Sequence, residues 1–596
     1  MAFFDLKGLL SPITGLKQFG KKPHTIMFPD VAEHASDRYR GLHFNKLEDC
    51  IGCGNCSTIC MNEAIDMIQI AGYEGKKGDS GLRPRVDNGR CCWCALCVEV
   101  CPTGSLNLTK DYIFVTPDAN DFLWTPGVDN KEKGEQNISF YSDKETSLSD
   151  YSRVPMRELD GDVRIKSFAE AVLGYNEEEA RKEASRCISC GLCTESCPDH
   201  MHIPEYINAI ARENDADALR IIYDNNPLPE MCGKVCTRRC EDVCAMTHRG
   251  DAIAIRWLKR YATETAKNAD IIKEIVNPEI KEANGKKISI IGAGPSGLTA
   301  GYYLALRGFD VTIYEAKAKA GGMTFYGIPK YRLPAESLEK QVGYMQSIGV
   351  KINFNTRVGK DIDFKEIYNN SDAVFMGVGF EKPWTLGITG EELNGSLQAV
   401  TYLDVINGGG KMEIGNKVAV IGGGNVAIDA ARVARRKGAD VTIVYRRRVE
   451  DMPADWEEIE GAEDEGVHIM PQGIPIEVIG DKNGKVTGLK FARAEMIPDP
   501  DGGRPRPKQI EGSEDILEVT SVIGAIGQEG DYSFIPDDMK DQIKIERGRF
   551  VVNEDKQTSL PKLFAGGDSA NRTADAISAI ADGFRAVKAI EKMLIK

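Results

Sequence analysis

Apolar runs of four or five residues that stop at glycine recur through the second half of the chain. Lys287-Ile-Ser-Ile-Ile leads into Gly292-Ala-Gly294-Pro-Ser-Gly297, and Lys417-Val-Ala-Val-Ile leads into Gly422-Gly-Gly424-Asn425-Val-Ala427. Each predicts a strand buried on both faces, then a tight turn and a helix. Val311-Thr-Ile-Tyr-Glu315 and Val441-Thr-Ile-Val-Tyr predict the strands that follow those helices. Val522-Ile-Gly-Ala-Ile-Gly527 and Leu563-Phe-Ala-Gly566-Gly567-Asp568 return late in the chain, which suggests one α/β domain inserted in another. In the first half, residues 177–187 (EEEARKEASRC) predict a helix. No apolar run approaches the roughly 18 residues of a membrane-spanning helix.

Cysteine changes the picture. All 17 lie between Cys50 and Cys244, and all but Cys92 fall in four regular runs. Such clustering does not suit a small secreted disulfide scaffold and points to metal ligands in a reducing compartment, the cytoplasm. The runs Cys50, Cys53, Cys56, Cys60 and Cys91, Cys94, Cys97, Cys101 have the bacterial ferredoxin spacing. Three thiolates of a run hold one cubane and the fourth serves the other. The spacing thus predicts one [4Fe–4S] cluster on Cys50, Cys53, Cys56 and Cys101, and another on Cys91, Cys94, Cys97 and Cys60. A pair of zinc sites would not need the fourth cysteine of each run. Cys92 reads as a packed thiol. The runs Cys187, Cys190, Cys193, Cys197 and Cys232, Cys236, Cys240, Cys244 supply enough thiols for two more clusters, about four in all. The four-residue step of the last run would set its thiols near one helical face if that segment is helical.

The glycines of the first turn allow pyrophosphate to approach a helix N-terminus, and Glu315 stands where an acid receives an adenosine ribose. In the second unit, Arg446-Arg447-Arg448 replaces that acid. Guanidinium groups pair with a 2′-phosphate, so NADP(H) is favoured over NAD(H); a solvated basic turn would leave the nucleotide undetermined. A hydride carries two electrons and a cluster takes one, so a flavin is the expected adaptor. The outer domain is assigned to FAD, with Gly292, Gly294, Gly297, Glu315, Gly322, Gly566, Gly567 and Asp568 as candidate contacts. Asp568 is expected near the ribityl or pyrophosphate region unless it only caps a helix starting near Ala574. Gly422, Gly424, Asn425, Ala427, Arg446 and Arg447 are the candidates for NADP(H). Residues 327–334 line the pocket or form a turn. No catalytic triad or acid–base pair stands out.

The 596 residues suggest about three to five domains. The expected order is a docking arm (1–45), a ferredoxin-like domain (46–115), a linker (116–165) and a helical iron–sulfur domain (166–280). The FAD domain (281–411 and 525–596) then encloses an NAD(P) domain (412–524). The fold class is multidomain α/β and α+β: a 2[4Fe–4S] ferredoxin fold, an α-helical Fe–S domain and two Rossmann-like domains. The opening MAFFDLKGLLSPITGLKQFG contains Asp5, has no basic lead and no small-residue cleavage site, and reads as docking arm rather than signal peptide. A net charge of −15 argues against nucleic acid and against an anionic membrane surface as partners.

Lys22-Pro-His-Thr-Ile26, Phe28-Pro29 and Tyr39-Arg-Gly-Leu-His43 resemble the ferredoxin-like subunit of respiratory complex I, over roughly residues 15–112. The resemblance implies a two-cluster module docked between redox subunits, without proton pumping. Residues 165–596 resemble the glutamate synthase small-subunit family, which includes the dinucleotide-binding half of dihydropyrimidine dehydrogenase and the NADPH subunit of bifurcating transhydrogenases. The matching residues are Glu183-Ala-Ser-Arg-Cys187, Cys232-Gly-Lys-Val-Cys236, the two glycine turns, 327–334, Tyr445-Arg-Arg, Met452-Pro-Ala454 and Phe564-Ala-Gly-Gly-Asp568. It implies one cluster on Cys187, Cys190, Cys193 and Cys244, and three corners of another on Cys197, Cys236 and Cys240. Relatives place Glu or Gln where this chain has Lys259, so Cys232 or another group substitutes, or that cluster is altered or absent. The implied activity is electron transfer between NADP(H) and clusters through FAD, feeding a larger redox subunit, in a transhydrogenase-type or glutamate-synthase-type complex. A free-standing NADPH:ferredoxin oxidoreductase and a non-enzymatic electron-transfer scaffold are the alternatives.

Overall fold

A computed structural model describes residues 12–13, 15–27, 31, 35–111, 115–143, 145, 150–500 and 502–595, without the side chains of 131–133. Most of the opening segment of the docking arm, and Phe28 and Pro29, lie outside the described residues. The chain divides into two compact units, Met1–Ser149 and Asp150–Lys596.

The first unit is built on two small antiparallel sheets. One joins His43–Asn45, Leu106–Thr109 and Ile138–Phe140; the other joins Ile65–Gln69, Leu82–Asp87 and Leu123–Trp124. Ile65, Val86, Val98, Leu106, Leu108 and Phe140 close the core between them. Two one-turn helices, Asn55–Thr58 and Leu96–Glu99, each follow a left-handed residue, Gly54 (φ 77°) and Ala95 (φ 71°). That reversal turns each Cys-x2-Cys-x2-Cys loop back on itself, and the run's fourth cysteine leaves from the end of the helix. Part of the expected linker, 116–165, behaves otherwise: Leu123–Trp124 and Ile138–Phe140 complete the sheets of this unit, while Tyr151 and Val154 are buried in the core of the second. Strands of two or three residues carry no readable alternation; the open edges of their partners decide the pairing.

The second unit opens with helices. Glu177–Ser185 begins with Asn176 as a capping box and carries the chain to Cys187. The fourth cysteine run is not one helix. Pro229–Val235 holds Cys232, Cys236 is extended (ψ 143°), Arg239–Asp242 holds Cys240 and Cys244 is extended again (ψ 128°). The breaks turn the four sulfurs away from a single face.

Two five-stranded parallel sheets follow. The first has the order Leu563–Ala565, Ala373–Met376, Lys287–Ile291, Asp310–Tyr314, Lys351–Asn353; the second has Ser396–Gln398, Ser521–Gly524, Lys417–Ile421, Asp440–Tyr445, His468–Pro471. The chain leaves the first sheet after Met376 and rejoins it at Leu563, so the second sheet is inserted in the first domain. Its edge strand, Ser396–Gln398, lies ahead of residue 412. An antiparallel sheet of Gly473–Gly480, Val486–Ile497, Arg506–Gln509 and Asp515–Glu518 elaborates the insertion. Helices Pro295–Leu306 and Ala576–Leu594 cover the first sheet. No described helix is long and apolar enough to cross a membrane.

Candidate functional site

The strand Lys287–Ile291 ends at Gly292, whose φ of 96° lies in the left-handed region. A Cβ there would stand 2.6 Å from the carbonyl oxygen of Gly377, and one on Gly297 would stand 2.0 Å from that of Gly292. Only glycine lets the helix Pro295–Leu306 start this close to the strand ends, with its free N–H groups toward the turn. Glu315 accepts hydrogen bonds from the N–H groups of Ala293 (2.7 Å) and Lys317 (2.9 Å). Burial pushes its carboxyl group up, against those two donors. Its oxygens keep lone pairs for hydroxyl donors. Gly322 (φ 55°) brings its backbone to Gly294.

Asp568 is half-buried and lines a large cavity shared by the two dinucleotide turns. Burial pushes its pKa up to about 6, opposed by Arg549. It does not cap a helix: Asp575 is the N-cap of Ala576–Leu594, accepting from Ser578 N at 2.8 Å. Asp582 fixes the Gly566-Gly567 turn by accepting from Gly567 N (3.1 Å) and Asn571 Nδ2 (2.7 Å).

The second turn repeats the geometry. Gly422 has φ 145°, and a Cβ on it would meet the carbonyl oxygen of Ala525 at 2.3 Å. Asn425 opens the helix Asn425–Arg436 and accepts from Asp455 N at 2.9 Å; Ala427 is buried behind the turn. Beyond Asp440–Tyr445, Arg446 is exposed and Arg447 donates from Nε to the Pro505 carbonyl at 2.7 Å. Arg448 is turned aside, paired to Asp451 at 2.8 Å. Arg504, from a Gly- and Pro-rich loop, arrives beside the pair. Its only signal in the sequence is a basic residue in a turn, which carries no address.

The cavity has a volume of about 1210 Å³ and spans both turns. Gly292, Gly294, Glu315, Gly322, Gly567 and Asp568 line it from the outer domain; Gly422, Gly424, Asn425, Arg446, Arg447 and Arg504 line it from the inserted one. Gly297, Gly566 and Ala427 stand behind the lining. Residues 327–334 reach it through Gly327, Ile328 and Arg332, and Arg332 pairs with Asp429 at 2.8 Å across the two domains. Val235 and Thr237, the neighbours of Cys236, also line it. Sequence reasoning missed that contact, because nothing local ties a helix end to a pocket built far downstream.

The cysteines gather in four groups. Burial pushes the Cys56 thiol well up, and Cys50, Cys101 and Cys97 push it further; Cys97 is raised by burial, then by Cys91, Cys94 and Cys60. The structure thus brings Cys101 to the first run and Cys60 to the second. Cys53 belongs to the first loop and is half-buried. His43 stands 3.6 Å from Cys97 Sγ, and burial pushes its pKa down to about 4, which keeps the ring neutral. In the second unit, burial raises Cys193, and Cys190, Cys187 and Cys244 add to it. Cys240 is raised by burial and by Cys236 and Cys197, with Lys259 opposing. Among the described residues no three His, Cys, Asp or Glu side chains are placed to hold a single metal ion. Three thiols on one loop and a fourth from another run form a donor set that fits [4Fe–4S] clusters.

Residues 286–583 match the family described as pyridine nucleotide-disulphide oxidoreductase, 164–271 match dihydropyrimidine dehydrogenase domain II, 4Fe-4S cluster, and 49–105 match the 4Fe-4S dicluster domain. The chain is 32% identical to the glutamate synthase [NADPH] small chain of Escherichia coli over 458 residues, 72% of this chain and 95% of that one. It belongs to the glutamate synthase small-chain family. It is also 37% identical to the NADPH-Fe(3+) oxidoreductase subunit beta of Geobacter sulfurreducens and 36% identical to the NADP(+)-dependent formate dehydrogenase subunit beta of Moorella thermoacetica, in each case over 67% of this chain. The chain spans 63% and 60% of the length of those two relatives. As a member of the glutamate synthase small-chain family it is an iron–sulfur flavoprotein whose cofactors are FAD, NADP(H) and [4Fe–4S] clusters, and its dicluster domain adds a second cluster-bearing unit to the shared body.

Proposed function

We propose that the chain is the NADP(H)-handling subunit of a cytoplasmic oxidoreductase complex, passing electrons between the nucleotide and a larger redox subunit or ferredoxin. The observation that carries this reading is the single cavity lined by both dinucleotide turns and by the two neighbours of Cys236. FAD, when bound, accepts or returns a hydride and exchanges single electrons with [4Fe–4S] clusters. The chain's own residues do the rest. The turn at Gly292, Gly294 and Gly297 would offer helix N–H groups to the FAD pyrophosphate, Glu315 would receive the adenosine ribose, and Asp568 would hold the ribityl or pyrophosphate region. The turn at Gly422 and Gly424, with Asn425, presents the nucleotide's pyrophosphate, and Arg446, Arg447 and Arg504 hold its 2′-phosphate. Arg332 and Asp429 keep the two domains in register over the cavity. Cys50, Cys53, Cys56 and Cys101, then Cys91, Cys94, Cys97 and Cys60, hold the clusters of the first unit; Cys187, Cys190, Cys193 and Cys244 hold one in the second, and Cys197, Cys236 and Cys240 three corners of another.

Membership of a complex is supported by the subunit names of the relatives, one an NADP(+)-dependent formate dehydrogenase subunit beta and one an NADPH-Fe(3+) oxidoreductase subunit beta. A transhydrogenase or a glutamate synthase type of partner suits the same chemistry. The alternative is a free-standing NADPH:ferredoxin oxidoreductase with a built-in ferredoxin, and the N-terminal two-cluster unit, which resembles the ferredoxin-like subunit of complex I, favours the complex over it. Native purification separates the two: co-elution with a larger redox subunit supports the first, whereas steady NADPH oxidation with free ferredoxin by the chain alone defeats it.

Arg446→Ala is expected to raise the KM for NADPH by roughly 10- to 100-fold while that for NADH barely moves, because only the phosphate loses its charge-assisted bonds. Arg504→Ala should act in the same direction. Steady-state kinetics with a viologen acceptor checks this, and equal effects on both nucleotides would remove the 2′-phosphate assignment.

A further inference from the structure

A cluster held by Cys197, Cys236 and Cys240, as in the proposed function, has one corner of its cubane open, and the identity of the group that closes it rests on that reading. Lys259 projects from the helix Ile255–Glu264, which packs directly on Pro229–Val235: a Cβ on Gly233 would lie 2.8 Å from Arg260 Cα. It is only 4% exposed. No carboxylate among the described residues pairs with it at ion-pair distance. The ionisable groups that act on it are the thiols of Cys236, Cys232, Cys197 and Cys240. An ammonium group has three donors and no lone pair, so it cannot itself bind iron.

Two buried groups could close the corner. Cys232 is 0% exposed and lies one turn before Cys236, whose N–H donates to its carbonyl at 3.2 Å. Asp199 is 4% exposed and neither carboxylate oxygen has a hydrogen-bond partner. The charges that act on Asp199 besides Lys259 are Arg585 and Lys588 of the helix Ala576–Leu594, and Arg585 donates to the Pro198 carbonyl at 3.2 Å. Thiolate is the softer donor and the usual ligand of iron–sulfur clusters.

We propose that Cys232 supplies the fourth thiolate of the cluster on Cys197, Cys236 and Cys240, and that Lys259 lies against this cluster as a fixed counter-ion that raises its reduction potential. A cluster held by four thiolates is anionic, and taking up an electron in a buried site makes it more so. A permanent positive charge in the same low-dielectric pocket favours the reduced state. Because Val235 and Thr237 bring Cys236 to the cavity wall, the tuned centre is the one beside the flavin site.

The test uses the full chain, purified without oxygen, with iron analysis, flavin content and an EPR-monitored redox titration. Cys232→Ser should lower iron by about one to four atoms per chain and alter one cluster signal, with flavin content unchanged. Full iron and an unaltered spectrum would overturn the ligand assignment, as would loss of that same signal in Asp199→Asn. Lys259→Met should keep the iron and move one midpoint to lower potential, leaving the others in place; an unmoved midpoint removes the counter-ion. Lys259→Arg, which preserves the charge, should stay near the parent value and guards against misfolding of the methionine variant; a drop equal to that of Lys259→Met would also count against the charge. A parent protein without any cluster signal would sink the proposed function as well, which separates the two failures.

Discussion

Replacing Gly292 with valine is expected to yield a chain that keeps its iron but loses its flavin. The residue has φ 96°, and a Cβ there would press 2.6 Å from the Gly377 carbonyl, a backbone atom of the adjoining strand end that cannot swing aside. A β-branched residue in this conformation costs on the order of 1–3 kcal/mol, and the clash adds to it. The turn can relax only by moving away from the helix start at Pro295, and the pyrophosphate loses the N–H groups aimed at it. About 1.4 kcal/mol of lost binding is already tenfold in affinity. A Cβ on Gly424 would meet only Pro453 Cγ, at 3.9 Å, so Gly424→Ala should leave flavin content at the parent level and weaken only the second nucleotide. The ratio of flavin to protein, read from absorbance beside an iron assay, decides the matter. A Gly292→Val protein with full flavin would show that this turn is not the FAD site.

The features legible in the sequence are those whose physics is local. A glycine turn between a buried strand and a helix is written in eleven consecutive residues, and the spacing of each ferredoxin run fixes which thiols share a loop. The fold class followed from these, including the insertion of one nucleotide sheet in the other. What stayed hidden depends on distant parts meeting. Arg504 reaches the Arg446-Arg447 pair only because the antiparallel sheet Gly473–Gly480, Val486–Ile497 and Arg506–Gln509 folds back, and no periodicity announces that return. Ser396–Gln398 is three residues long and becomes a strand because Ser521–Gly524 has a free edge. The pairing of Arg332 with Asp429 turns a motif that could have been a plain bend into a tie between domains. The last cysteine run shows the opposite error: its regular step invited a helical face, but the breaks at Cys236 and Cys244 are what let one run serve two groups of thiols.

Those breaks lead to the second large effect. Cys236→Ser is expected to separate the two halves of the activity. Val235 and Thr237 line the cavity, so the Cys236 sulfur is the thiol of the second unit held closest in sequence to the nucleotide site. Serine presents a hard alkoxide oxygen of much higher pKa in place of a soft thiolate, and a buried cluster tolerates that exchange poorly. Iron should fall by up to about four atoms per chain. NADPH should still bleach the flavin absorbance under anaerobic conditions at close to the parent rate, because the residues that hold both nucleotides are untouched. Reduction of a one-electron acceptor should drop at least about 10- to 100-fold, the cost already seen when only an outer-shell partner of a metal ligand is lost. Stopped-flow bleaching and viologen reduction, measured on the same preparation, give the two numbers. If both fell together, Cys236 would be a structural residue of the cavity wall; if neither fell, electrons would leave the flavin by a route that avoids this cluster, and the shared cavity wall would lose its meaning.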